Sequence, residues 1–170
     1  MMKALHIVCG PPAAGKTHHA RDLAERLGAL CLDSDEVTEK LVIAGLKLAG
    51  LDPDDRDSPR YKAAYREVVY ESLFSLAESH LERLPVVICG PFTQESQDPS
   101  WPQRLEQRFG AGITIHFVTC GDRERLARMK ARAEARDQAK LLDWKAHSQQ
   151  VFCGPPPFPH CLVTSRTEEG

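Results

Sequence analysis

The sequence predicts an α/β domain built on one parallel sheet with helices on both of its faces. Three observations predict it: short apolar runs recur along the chain, amphipathic stretches of helical period separate them, and the first run ends in a glycine-bearing loop. Runs that are apolar throughout read as strands buried on both faces, and parallel neighbours need a crossover, which the intervening helices supply. At 170 residues the chain has the size of one ordinary domain, and it carries no internal repeat or linker, so residues 1–170 are expected to form a single domain.

Ala4 to Cys9 is the first such run and is expected to be the central strand. From Thr17, residues Ala20, Leu23, Ala24 and Leu27 recur at helical spacing among charged residues, and Gly28 stops the helix. Ala29 to Leu32 is a second strand that delivers Asp33, Ser34 and Asp35 to its C-terminal end, with a helix from about Glu36 to Ala49 after it. Gly50 to Ser58 holds Asp52, Asp54, Asp55 and Asp57; it reads as a solvated loop or a metal loop, the first favoured because no EF-hand spacing is present. Ser58 and Pro59 form an N-cap and first helical position, and a long helix runs from them to the stop at Leu84-Pro85. Val86 to Cys89 is the third strand. A short helix around Gln103 to Phe109 leads to the fourth, Ile113 to Thr119. Asp122 and Asp137 can each cap a following helix, and the prolines from Pro155 to Pro159 force an extended turn before a last strand, His160 to Thr164.

Composition removes several classes. The 22 lysines and arginines against 24 aspartates and glutamates give a net charge of -2, so no global basic field exists for gripping nucleic acid. The apolar run at Met1 to Cys9 is too short for an export signal or a membrane span, which gives the expectation of a cytoplasmic protein with no membrane partner. Six cysteines (Cys9, Cys31, Cys89, Cys120, Cys153 and Cys161) contain no C-x-x-C pair and read as core thiols in a reducing compartment.

The chemistry starts at Gly10-Pro11-Pro12-Ala13-Ala14-Gly15-Lys16-Thr17, which fits G-x-x-x-x-G-K-[ST] at every fixed position. A chain of this length meets that pattern by chance on the order of once in 200, and here the loop also joins a strand to a helix. Its amides and the positive end of the helix dipole form an anion site that extends to His18. Lys16 is expected to neutralise phosphate oxygens, and the Thr17 hydroxyl to ligate magnesium.

Two further groups bear on what happens to the phosphate. Asp33 and Asp35 stand at the end of the second strand, the edge where α/β sheets carry their ligands, and can divide metal holding from proton acceptance; each can instead cap the next helix. Arg125, Arg128, Arg132 and Arg136 differ by three, four and four, so they can line one helix face and act on a phosphoryl group, or stand as a solvated charged face.

These features together resemble the P-loop kinases of the AAA-like, polynucleotide kinase, zeta-toxin and gluconate kinase type. The Walker A loop Gly10 to Thr17, Asp33-Ser34-Asp35 and the arginines through Arg136 carry the resemblance. It implies a three-layer P-loop NTPase sandwich with sheet order 2-3-1-4-5 and a helical lid at about 122–137. It also implies ATP and Mg²⁺ as cofactors, Asp35 as general base, Asp33 or Thr17 near the metal, and Lys16 with Arg128, Arg132 and Arg136 as catalytic groups. The acceptor would be a hydroxyl of a small metabolite, nucleoside or nucleotide-like compound; the alternative is a nucleotide-binding regulator or plain ATPase. One departure stands out: relatives place an aspartate after the third strand, where this chain has Cys89-Gly90-Pro91-Phe92-Thr93. Phe92 and Thr93 are expected to touch the acceptor, with Phe92 equally readable as core.

Overall fold

The computed structural model describes residues 4–110, 112–134, 137–150 and 154–165. Five strands form one wholly parallel sheet: β1 (Ala4–Cys9), β2 (Leu30–Asp33), β3 (Val86–Cys89), β4 (Gly112–Thr119) and β5 (Cys161–Thr164). Their order is β2-β3-β1-β4-β5, as expected, so the phosphate-loop strand lies at the centre with Val8 opposite both Cys89 and His116.

The helices are α1 (Lys16–Leu27), α2 (Ser34–Leu48), α3 (Pro59–His80), α4 (Trp101–Phe109), α5 (Asp122–Arg132), α6 (Gln138–Leu142) and α7 (Trp144–Gln150). Strand alternation sorts the core into two layers. Leu5, Ile7 and Cys9 of β1 face one way, against Leu73 and Ala77 of α3 and Leu105 and Phe109 of α4. Val8 faces the other way with Val87 and Val118, and is covered by Ala20, Leu23 and Ala24 of α1. Each fully buried leucine or valine of these layers contributes on the order of 1.5–3 kcal/mol relative to exposure.

Several boundaries differ from the sequence reading for identifiable reasons. α2 begins at Ser34, two residues early, because Asp33 is its N-cap and accepts a hydrogen bond from the Asp35 amide. α4 likewise begins at Trp101, with Pro102 accommodated in its first turn, where a missing amide costs nothing. Asp122 does not cap α5: Gly121 holds that position, and the Asp122 carboxylate pairs with Arg125. Asp137 precedes α6 without capping it, since its carboxylate is engaged by Arg132. α5 stops at Arg132, where Ala133 turns left-handed at φ 49°; Arg136 lies outside the described residues. Cys9 and Cys89 are core thiols as expected, but Cys161 on the edge strand is exposed; Cys153 is outside the described residues.

The acidic segment is a loop with its own internal order. Asp55 accepts hydrogen bonds from Ser58 and Asp57, and Ser58 caps α3 through the Tyr61 amide. Among the described residues no group of three or more His, Cys, Asp or Glu is arranged to hold a metal ion, and no helix is long and apolar enough to cross a membrane.

Candidate active site

The loop Gly10 to Gly15 leaves the C-terminal end of β1 and runs straight into α1, so its amides gather at the positive end of a 12-residue helix. Glycine is required at both ends of the loop. At Gly10, φ is +140° and a Cβ would lie 2.1 Å from the Val118 carbonyl oxygen, so any side chain would collide with the neighbouring strand. Gly15, at φ +97°, forms the left-handed N-cap of α1. Between them Ala13 turns at φ +60°, a conformation that costs a non-glycine residue roughly 1–3 kcal/mol and persists only where the surroundings impose it.

The surroundings do so by holding the loop's carbonyls. Lys16 Nζ donates to Pro11 O at 2.8 Å, Arg125 Nε donates to Pro12 O at 3.2 Å, and Arg128 Nη1 donates to Ala14 O at 3.1 Å. Ser165, just past β5, also donates its hydroxyl to Ala14 O and accepts from Arg128 at 2.8 Å. The Ala14 amide closes a turn onto Pro11 O at 3.3 Å, and the residues that follow stand at the start of α1, where a helix N-terminus receives an anion.

Across from the loop stands the end of β2. Thr17 Oγ1 donates to Asp33 Oδ2 at 2.8 Å, while Asp33 Oδ1 takes the Asp35 amide at 2.9 Å. Asp33 is buried, whereas Asp35, in the first turn of α2, is exposed. Burial pulls the Lys16 ammonium below its ordinary value; the carboxylates of Asp35 and Asp33 and the thiols of Cys89 and Cys9 act in the opposite direction, so Lys16 lies in the field of both aspartates. Burial also pushes the Cys9 thiol up to about 12 and raises that of Cys89, which keeps both protonated and chemically inert.

The donor set fits a magnesium ion. A threonine hydroxyl joined to a buried carboxylate offers hard oxygens, and this metal typically takes one or two protein oxygens and completes its shell with phosphates and water. That demand requires no cage of acidic side chains.

The structure thus brings together Lys16, Thr17, Asp33 and Asp35, with Arg128 against the loop. His18 follows on the exposed face of α1's first turn. Phe92 is corrected to core: it has no exposed surface, stacks on Tyr70 at 4.4 Å between ring centroids and lies against Trp101. Its amide is engaged in the core as well, donating to the Tyr70 hydroxyl at 3.1 Å. Thr93 next to it is exposed. Arg132, at the last turn of α5, is paired with Asp137 at 2.5 Å and does not touch the loop in this conformation. From the sequence, Arg125 stands in the arginine row that can act on a phosphoryl group but not among the expected catalytic groups, and Ser165 has no expected role. The first was legible only as one of a row of arginines, and the second carried no signal beyond its place after the last strand.

Residues 5–152 match the model of a family described as the AAA domain. A shikimate kinase from Thermobifida fusca (strain YX) is 40% identical over 73 residues, a stretch covering 43% of this chain and 41% of that protein's length. Among solved structures, a proposed kinase from Chloroflexus aurantiacus J-10-fl superposes with a TM-score of 0.68 at 19% identity, covering 96% of this chain and 88% of its own. A sugar kinase from Janibacter sp. HTCC2649 gives 0.61 at 13% identity over 96% and 86%. A gluconokinase from Sinorhizobium meliloti 1021 gives 0.56 at 14% over 98% and 83%. At these identities the structural likenesses establish the fold.

Proposed function

The chain belongs to the AAA domain family, and from that premise we propose that it is a cytoplasmic kinase that uses ATP and Mg²⁺ to phosphorylate a hydroxyl of a small acceptor. The observation that carries the reading is the division of labour between two aspartates at the end of β2. Asp33 is buried and bonded to Thr17 and the α2 amide, and Asp35 is exposed with Lys16 in its field. A nucleotide switch or plain ATPase needs the first group. A second, accessible carboxylate facing the crevice is what an acceptor hydroxyl requires.

In this reading the loop from Gly10 to His18 and the Lys16 ammonium bind and orient the β and γ phosphates. Thr17 and Asp33 would hold magnesium, which when bound neutralises phosphate charge and supports transfer. Asp35 orients the acceptor hydroxyl in line and takes its proton. Arg128, Arg132 and Arg136 belong to the lid, where they neutralise charge on the transferring group and exclude water. Thr93 lines the acceptor side. The names of the relatives support the acceptor class, since shikimate, sugars and gluconate are all small polyhydroxy compounds.

The test is a screen of hydroxyl compounds with purified protein, ATP and magnesium, scored for phosphorylated product. An acceptor whose phosphorylation consumes ATP stoichiometrically supports the kinase. ATP hydrolysis indifferent to every acceptor would favour the plain ATPase instead.

A further inference from the structure

We infer that Arg125 is a positioning residue for the phosphate loop: its buried guanidinium fixes the Pro12 carbonyl and so sets which way the loop's amides point. The inference deepens the kinase reading and rests on it for its catalytic consequences.

Arg125 has no exposed surface, and it is the largest fully buried side chain among the described residues. Burying a guanidinium costs several kcal/mol unless it is well partnered. Its partners here are the Pro12 carbonyl at 3.2 Å from Nε, Asp122 at 3.0 Å from Nη1, and the Trp144 ring with its centroid 5.3 Å from Cζ. One helical turn along the same face of α5, Met129 is equally buried and apolar. Packing alone would place another apolar residue at 125, because buried ion pairs can commonly be replaced by apolar side chains of similar volume at no loss of stability. What an apolar residue cannot do is donate to Pro12.

That contact sits at a decisive point. Pro12 precedes Ala13, whose left-handed φ of +60° turns the loop toward α1, and Arg128 holds the Ala14 carbonyl on the other side. The two arginines, three residues apart on α5, therefore grip the carbonyls that flank the turn. Trp144 covers Arg125 from α7, so the same guanidinium links the phosphate loop to the helices that follow the lid.

The experiment compares the parent with Arg125→Met and, as control, Arg123→Ala on the exposed face of α5. It measures the unfolding midpoint, ATP affinity by calorimetry, hydrogen exchange of the amides of residues 13–17, and kcat and KM separately. Arg125→Met should keep or raise the unfolding midpoint while its loop amides exchange faster. ATP binding should weaken about 10- to 100-fold, the range of a lost charge-assisted hydrogen bond, with the acceptor's KM unchanged. Methylguanidinium added to Arg125→Ala should restore part of the ATP affinity and none of it to the parent. A folded Arg125→Met with parental exchange at 13–17 overturns the inference. So does a variant that fails to fold, since the guanidinium is then a structural group. If the parent itself binds no ATP, the kinase reading fails, and the exchange comparison alone decides whether Arg125 positions the loop.

Discussion

Lys16 and Asp35 carry the sharpest predictions at the scale of single residues, because their surroundings assign them different tasks. Lys16 donates to the Pro11 carbonyl within the loop and is not among the apolar side chains of either core layer. Lys16→Ala should leave the unfolding midpoint within about 1 °C, yet remove nucleotide-dependent turnover; parental ATP affinity and turnover in that variant would refute the phosphate-loop assignment. Asp35→Asn should bind ATP with magnesium as the parent does and lose about 10²- to 10⁴-fold in transfer, the usual cost of removing a general base. The amide keeps the shape and the α2 start, since the cap is Asp33. Titration and product formation must therefore diverge. If both fall together, Asp35 is a metal ligand; if neither falls, the acceptor's base lies elsewhere. Asp33 itself illustrates what a residue pattern hides. The spacing of two aspartates after a strand places both near the C-terminal edge of the sheet, but which one meets the Thr17 hydroxyl and caps the helix depends on a contact across 16 residues of chain.

At the scale of elements, α5 behaves as two pieces rather than one arginine face. Its first turns lie against the phosphate loop through Arg125 and Arg128, and its last turn swings to Asp137 through Arg132. The helical period made the shared face legible. The break after Arg132 was not, because Ala133 is an ordinary helix former and nothing in its residue type signals its left-handed turn. The same limit explains Phe92: a hydrophobe after a strand reads equally as core or as ligand contact until Tyr70 of α3 and Trp101 of α4 are seen to enclose it. The strands and the β1-loop-α1 unit were legible throughout, since buried strands and a fixed motif depend on local sequence, whereas the strand order followed only from the family resemblance. If Arg132 leaves Asp137 to meet the nucleotide on closure, Arg132→Ala should lower kcat about tenfold or more with a smaller change in ATP affinity. Steady-state kinetics beside direct ATP titration decides it, and equal losses in both would mean that Arg132 is only Asp137's partner.

For the whole molecule, the layer that fastens α1 to the sheet contains a chain of three imidazoles. His6 on β1 shares a hydrogen bond with His116 on β4 at 3.1 Å, and His116 shares another with His19 on α1 at 3.3 Å. Burial, then the neighbouring His19, His6 and Arg26, hold His116 down to about 4, and burial lowers His6 and His19 as well. Asp22 on α1 opposes this at His19, and His18 and Arg26 add to it; on β5, Cys161 lies opposite His116 in register. All three imidazoles are thus held neutral in the folded chain and titrate near 6.5 once it unfolds. Between pH 6.5 and about 4 the unfolded chain therefore binds more protons, so stability is complete above 6.5 and drains away as the pH falls toward 4. For His116 alone the span is worth up to about 3 kcal/mol, or roughly 6–12 °C in unfolding midpoint for a chain of this size. The low-lying carboxylate of Asp98, held down to about 2 by Ser100 and Arg104, responds mainly below pH 4 and leaves the window to the histidines. Because α1 carries Lys16 and Thr17, ATP affinity should decline over the same range. Thermal unfolding from pH 7.5 to 4.5 measures the slope, and His116→Val, which suits a buried strand position, should flatten it. A parent whose midpoint stays level from pH 7 to 5, or a His116→Val variant that keeps the parent's slope, would rule out the imidazole chain as the acid-sensitive joint between the phosphate-loop helix and the sheet.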